Sequence, residues 1–172
     1  NNQKDYLFSS YLYNSDIEVD GYTDIKINSS VTDFLPAISH HQQQLAFISK
    51  RSGYSKIWLK DFSSNALRSI EPPDQGRSFY SLQWSFDDQR LLANTSNGLL
   101  IFNTRSMLIE KIITLEHSAY GVGWLNQDEI IYSQRVGERW QLFRYDINKS
   151  TSTAYDEKWA FSLASAEQQV FL

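Results

Sequence analysis

The sequence contains three copies of one pattern, in which two apolar strands are joined by a short polar turn that contains glycine. The first strands of the three pairs span residues 45–49, 91–95 and 130–134, and the second strands span 57–61, 99–103 and 142–146. The copies are spaced by roughly 40 to 46 residues, which is the period of a propeller blade. The repeat therefore predicts an all-β protein, built from blades of four antiparallel strands with very little helix.

Strands on either side extend each pair to four. We predict three full blades, over residues 32–70, 79–115 and 119–155, and a partial fourth blade over residues 159–172. Residues 1–31 are less regular and form a lead-in, with strands predicted at 6–8 and 11–13. Residues 24–27 are predicted as the outer strand of a preceding, incomplete blade. Residues 32–172 are expected to form one structural domain.

Composition limits the partners that this chain can have. The net charge is −4, and residues 1–35 carry all of it, because the charges in the rest of the chain balance. Without a basic stripe, the chain is poorly suited to binding nucleic acid through phosphates. There is no cysteine, which excludes disulfides, thiolate nucleophiles and cysteine zinc sites without fixing the compartment. No apolar run approaches the ~20 residues of a spanning helix, so any membrane tether is expected outside this chain.

The histidines are candidate site residues. His40 and His41 are adjacent on a predicted turn and could ligate a metal, but consecutive side chains tend to point apart and two ligands are too few. A turn-lining role is therefore favoured for both, and no metal or other cofactor is expected. His117 lies between two blades and could sense pH, because histidine titrates near neutrality. A plain connecting role is favoured for His117 as well.

Paired carboxylates recur at equivalent turns, as Asp87-Asp88 and Asp128-Glu129. A general acid and base would have to converge on one pocket, and turn stabilisation by the side-chain oxygens is favoured instead. The sequence has no G-x-S-x-G elbow, and Gly121-Val122-Gly123 has no helix after it, so neither a hydrolase nucleophile nor a dinucleotide site is indicated. We expect that this chain is not an enzyme and contains no catalytic residues.

Arginines and tryptophans also recur at matching positions. Arg51 and Arg135 could form a basic rim for an anionic partner, or could bond to a neighbouring blade, and both roles stay open. Packing between blades is favoured over an aromatic groove for the five tryptophans, which are Trp58, Trp84, Trp124, Trp140 and Trp159. The residues kept as a candidate interaction rim are His40, His41, Arg51, His117 and Arg135.

The first copy carries the fullest motif, with Phe34, Pro36, Leu45-Ala46-Phe47, Arg51-Ser52-Gly53 and Ile57-Trp58-Leu59. This motif resembles the TolB-like propeller repeat, also called the WD40-like repeat, and the resemblance covers about residues 32–172. It implies blades more firmly than a function, because propellers host many unrelated roles. The usual Pro-Asp-Gly turn is replaced here by His40-His41-Gln42. Such degenerate blades look like those in the extracytoplasmic part of membrane-anchored winged-helix regulators of the CadC type.

The resemblance implies a non-enzymatic sensory or interaction domain of a membrane-anchored bacterial transcriptional regulator, which binds a ligand or protein partner in the periplasm. Two alternatives stay open: a TolB-like periplasmic protein-binding scaffold, and the propeller gate of a prolyl-oligopeptidase-like hydrolase whose catalytic domain lies elsewhere. Three full blades leave open edges, which tend to pair with other strands. We therefore expect further blades after Leu172, closure by residues 1–31, or an edge-mediated homo-oligomer.

Overall fold

The computed structural model describes residues 16–18, 26–27, 29–155, 164–166 and 169–171. Within these ranges the chain forms strands and no helix. The first blade consists of β3 (Asp33–Ile38), β4 (Gln44–Ser49), β5 (Lys56–Asp61) and β6 (Leu67–Ile70). The second consists of β7 (Phe79–Trp84), β8 (Arg90–Thr95), β9 (Gly98–Asn103) and β10 (Leu108–Ile113). The third consists of β11 (Val122–Trp124), β12 (Glu129–Val136), β13 (Arg139–Asp146) and β14 (Thr151–Ala154).

Two short strand pairs flank the blades. They are β1 (Ile17–Glu18) with β2 (Lys26–Ile27), and β15 (Ala164–Ala166) with β16 (Gln169–Phe171). Each blade is an antiparallel sheet whose strands neighbour each other in chain order, so the predicted fold class is confirmed. The strands predicted at 6–8 and 11–13, and residues 159–163 of the predicted fourth blade, lie outside the described residues. The division into a lead-in and one domain stays a prediction.

The central strands are buried on both faces, and this is the origin of the sequence repeat. In β4, Ala46 and Ile48 pack into the core shared with the second blade. Their neighbours Leu45 and Phe47 pack against Ile17 from the preceding strand pair. Successive side chains of a strand point to opposite faces, so a strand covered on both sides is a continuous apolar run. The apolar runs therefore mark strands that lie between two layers of neighbouring structure.

The inner strands of the blades lie side by side, since β7 contacts both β3 and β11. Two tryptophans join them by hydrogen bonds. Trp84 Nε1 donates to the carbonyl of Ala37 in the preceding blade at 2.8 Å, and Trp124 Nε1 donates to that of Gln83 at 3.3 Å. The predicted role of tryptophan between blades is confirmed for these two residues.

The turns gather at two ends of the blades, which we call the upper and lower faces. The upper face holds the links into the inner strands and the turns between second and third strands, at residues 29–32, 50–55, 71–78, 96–97, 114–121 and 137–138. The lower face holds the turns after the first and third strands, at residues 39–43, 62–66, 85–89, 104–107, 125–128 and 147–150. Any site made from turns of several blades must lie on one of these faces.

Candidate functional site

The structure divides the five predicted rim residues between the two faces. His40 and His41 follow β3 and lie on the lower face. Arg51, His117 and Arg135 lie on or beside turns of the upper face. The five residues therefore do not form one continuous rim, and each group has its own surroundings.

His40 and His41 take part in a contact between the first two blades. The carboxylate of Asp88, in the turn after β7, accepts hydrogen bonds from the backbone N–H groups of His40 and His41 at 2.7 and 2.9 Å. Its second oxygen also lies 2.6 Å from Nδ1 of His41, and the ring of His40 lies 5.6 Å from that of Phe86. The two histidines thus line a turn that is held by the next blade, as their favoured role predicts.

Arg51 is committed to its own blade. One guanidinium nitrogen donates to both carboxylate oxygens of Asp33 at 3.0 Å, and Nε donates to the hydroxyl of Ser49 at 3.0 Å. The guanidinium also stacks over the rings of Phe47 and Trp58, at 5.2 and 5.1 Å. Its side chain is 19% exposed and that of Asp33 is fully buried. Arg51 therefore connects the start of β3 to the turn after β4, and these contacts engage its guanidinium group.

The paired carboxylates serve turns as well. Asp87 Oδ1 accepts hydrogen bonds from the Ser85 hydroxyl at 2.7 Å and the Gln89 backbone at 3.1 Å. Burial acts to raise the pKa of Asp87, but these bonds together with the charge of Arg90 hold the pKa below its ordinary value. In the third blade, Glu129 pairs with Arg144 at 2.5 Å. These carboxylates point into separate local contacts instead of one shared pocket.

An aromatic cleft opens on the upper face between the second and third blades. Its volume is about 550 Å³ and it is lined by Tyr80, Ser118, Ala119, Tyr120 and Trp140. Tyr120 meets Trp140 edge to face, with ring centroids 5.5 Å apart. Tyr80 is 49% exposed and Tyr120 is 55% exposed. The cleft therefore presents apolar rings to solvent in one place.

A β-bulge and a hydrogen bond position residues that line the aromatic cleft. A β-bulge between Phe79 and Ser81 interrupts the pairing of β7 with β8, so Phe79 is buried while Tyr80 faces solvent. Such bulges re-aim single side chains. On the floor of the cleft, the carbonyl of Ala119 accepts a hydrogen bond from Asn94 Nδ2 at 3.0 Å.

Two of the predicted rim residues border this aromatic cleft. Arg135 is opposite Trp140 in the register of β12 and β13, and its Nε donates to the carbonyl of Gly137 at 3.1 Å. His117 precedes the lining residue Ser118, and its carbonyl accepts a hydrogen bond from Gln134 Nε2 at 2.6 Å. Both side chains are exposed. The structure thus brings Arg135 and His117 to one site and places His40, His41 and Arg51 elsewhere.

The two tyrosines of the cleft are not among the predicted site residues. A signal was present, because Tyr80 and Tyr120 each stand four residues before the inner-strand tryptophans Trp84 and Trp124. In a regular strand such spacing puts both rings on one face, and only the bulge separates exposed Tyr80 from buried Trp84. Trp140, for which packing between blades is predicted, lines this cleft between the second and third blades.

No group of three or more His, Cys, Asp and Glu side chains is placed to hold a metal ion within the described ranges. In the same ranges, no helical segment has the length and apolar character needed to cross a membrane.

Comparison with solved structures finds β-propellers. The propeller domain of the trilobed protease from Pyrococcus furiosus, which has an open velcro topology, is 19% identical with a TM-score of 0.57, over 73% of this chain and 44% of that one. TolB from Acinetobacter baumannii is 15% identical with a TM-score of 0.54, over 73% and 33%. A chain of the mitotic checkpoint complex is 16% identical with a TM-score of 0.59, over 78% and 40%.

These likenesses establish the fold and not a function, because identities this low leave the site residues unmatched. The chain spans less than half of the length of the solved structures it matches. No protein-family model matches the sequence, and comparison with curated proteins gives no match. The described residues are propeller blades, and function has to be argued from the aromatic cleft.

Proposed function

We propose that this chain is a non-enzymatic interaction segment of a β-propeller, which binds a protein partner through the aromatic cleft. The observation that carries the proposal is the gathering of Tyr80, Tyr120 and Trp140 at one solvent-facing place. Tyrosine, tryptophan and arginine are enriched at protein interfaces and supply most hot spots. Small-molecule sites bury most of their ligand, whereas two of these rings are about half exposed, which favours a protein partner.

The non-enzymatic part of the proposal is supported by what the acidic groups do. Asp33, Asp87 and Glu129 are each engaged by a positive or hydrogen-bonding neighbour in a turn or strand end. A catalytic acid and base need a shared reacting position, and these groups lie in separate contacts.

Site-specific photo-crosslinking in the native cells tests the proposal. A benzophenone amino acid placed at Tyr120 is expected to capture one defined protein, identified by mass spectrometry, and the capture should be lost when Trp140→Ala is added. Loss of a hot-spot tryptophan typically weakens binding by about 30-fold or more. The matched control is the same label at Leu108, which is 66% exposed on the outer strand β10. Equal products from both positions, or none from Tyr120, would contradict the proposal.

The more specific proposal is that the chain forms the periplasmic sensory part of a membrane-anchored regulator of the CadC type. The support is the sequence resemblance of the degenerate blades, in which His40-His41-Gln42 replaces the usual turn. The coding sequence that surrounds this chain tests it. A winged helix and one membrane span before Asn1 are expected. A signal peptide alone would favour a TolB-like scaffold, and a hydrolase domain would favour a peptidase gate.

A further inference from the structure

A second cleft, of about 410 Å³, lies on the lower face between the first two blades. Arg68 on β6 and Arg105 in the turn after β9 both line it, together with the amide side chains of Gln44 and Gln89. Each arginine comes from a different blade. The cleft is therefore lined by two arginines that are 37 positions apart in the sequence.

The backbone explains why both side chains reach this cleft. Arg68 is opposite Leu59 in the register of β5 and β6, and Leu59 packs into the core shared with the second blade. Cross-strand partners project from the same face, so Arg68 also faces the second blade. Arg105 lies in a turn fixed by Asn103, whose Oδ1 accepts hydrogen bonds from the backbone of Arg105 at 3.1 Å and Ser106 at 2.9 Å.

Neither guanidinium is engaged. Within the described residues, the side chains of Arg68 and Arg105 make no hydrogen bond or ion pair. Other arginines in these ranges do pair with a carboxylate, namely Arg51, Arg77, Arg90 and Arg144. Arg68 and Arg105 give the cleft two positive charges against the single carboxylate of Asp88, and this excess of positive charge favours a bound anion.

The carboxylate in the cleft, that of Asp88, makes its hydrogen bonds with the turn of the first blade. Asp88 is held by the backbone N–H groups of His40 and His41 and by the His41 ring. The nearby hydroxyl of Thr104 donates to the carbonyls of Asp88 and Gln89, at 3.0 and 2.9 Å. Within the described residues, the cleft thus holds two unpaired arginine side chains and one carboxylate that bonds to the turn of the first blade.

We infer that this cleft binds a small organic phosphate, with the phosphate oxygens held by Arg68 and Arg105 and by the amides beside them. Guanidinium forks match the oxygens of a phosphate and bind them in charge-assisted pairs. The volume lies within the range of small-molecule sites. The cleft lies on the face opposite the aromatic cleft, so the inference is independent of the proposed protein partner.

Titration of the whole chain with glycerol phosphate and with inorganic phosphate, at low ionic strength and followed by NMR, tests the inference. Both are expected to shift resonances of residues 103–105 and of residue 68. Arg68→Gln and Arg105→Gln should each weaken binding by about tenfold, the loss expected for one charge-assisted contact. Arg135→Gln removes an exposed arginine from the opposite face and is the matched control, which should bind like the unchanged chain.

Absence of phosphate-dependent shifts, or equal binding by Arg68→Gln, Arg105→Gln and the unchanged chain, would overturn the inference. Equal weakening of phosphate binding by Arg135→Gln would also overturn the inference, because the loss would then follow from the net charge of the chain and not from the cleft. Circular dichroism checks that each variant is folded. Since the two arginines lie on different blades, either variant alone still decides the question if the other fails to fold.

Discussion

The space around Gly98 excludes a side chain, whereas the space around Gly53 and Gly137 does not. It lies at the start of β9 with a φ of +112°, and a Cβ at this position would lie 2.2 Å from the carbonyl oxygen of Ile113. Gly53 and Gly137 occupy the equivalent turns of the other blades with φ values of +98° and +61°, and a Cβ on either would meet no atom within 4 Å. The three glycines share a left-handed backbone but not the same space.

Gly98→Ala is therefore expected to lower the free energy of unfolding by about 3 kcal/mol or more, because strain in φ and a backbone clash add together. Gly137→Ala, which meets only the strain in φ, is expected to cost about 1–2 kcal/mol. Equilibrium denaturation in urea measures both. A loss for Gly137→Ala as large as that for Gly98→Ala would contradict this account of the turn.

Asp61 belongs to a turn that recurs in every blade. Its Oδ1 accepts hydrogen bonds from the backbone of Ser64 at 2.8 Å and from the hydroxyls of Ser63 and Ser64 at 2.7 and 2.8 Å. Led by the Ser64 backbone bond, these contacts hold the pKa of Asp61 well below its ordinary value. Asn103 and Asp146 take the same place after the third strands of the other blades.

Because the pKa of Asp61 is lowered in the folded state, its ionised form stabilises the fold above pH ~4, the ordinary range for a carboxyl group. This stability is lost as the pH falls through the pKa of Asp61 in the folded state. Asp61→Asn is expected to be less stable than the unchanged chain at pH 7, and the difference should shrink in acid. Thermal denaturation across this pH range measures it. The reciprocal variant Asn103→Asp should add acid sensitivity. A constant difference at all pH values would rule out the carboxylate as its source.

At the scale of elements, the turn after β7 joins two blades through Asp88. Asp88 adopts a left-handed φ of 56°, which asparagine also tolerates. Asp88→Asn keeps this conformation and removes the charge and one acceptor oxygen, so we expect a loss of about 1–3 kcal/mol in the free energy of unfolding. Denaturant titration measures the loss.

Asp128→Asn is the matched control for Asp88→Asn. Asp128 occupies the corresponding turn of the third blade, and its side chain makes no hydrogen bond or ion pair within the described residues. This variant is expected to unfold like the unchanged chain. Equal losses from the two variants would contradict the assignment of an inter-blade contact to Asp88.

Strand positions could be predicted from the sequence because burial on two faces makes each central strand a continuous apolar run. Residues 91–95 and 99–103 match β8 and β9 to within one residue. The bulges and left-handed turn residues, at which the structure departs from regular strand pairing, leave no comparable pattern in the sequence. Pro36 lies in β3 only because a bulge between Phe34 and Ala37 leaves it outside the regular pairing, and Met107 adopts a left-handed φ of 61° at a turn without glycine.

The two clefts likewise depend on features that the sequence pattern does not reveal. The aromatic cleft depends on a bulge that turns Tyr80 to solvent, and the lower cleft depends on two arginines that only the stacking of blades brings together. The repeat leaves two roles open for Arg135, an interaction rim and a bond to a neighbouring blade. Arg135 is opposite Trp140, which lines the aromatic cleft, and its role there stays a prediction. Its counterpart Arg51 occupies a matching turn, but a nearby buried carboxylate engages it. Repetition thus indicated the positions and local contacts decided their roles.

At the scale of the whole molecule, short strand pairs flank three four-stranded blades. Ile17 and Ile27 of the first pair pack on Leu45 and Phe47, and β15 contacts β11. Closure by further blades, by residues 1–31 or by a second copy stays a prediction. Light scattering tests the second-copy version, which predicts a mass that rises to the dimer with concentration. A monodisperse monomer at all concentrations would contradict it.

We propose that function lies in the aromatic cleft, while most repeated features hold the blades together. Hydrogen exchange of the chain with and without the protein captured from Tyr120 tests this most directly, because amides covered by a partner exchange more slowly. We predict slower exchange confined to residues 79–81, 118–121 and 137–141, with β6, β10 and β14 unchanged. Protection confined to those outer strands, or no protection at the cleft, would contradict the claim.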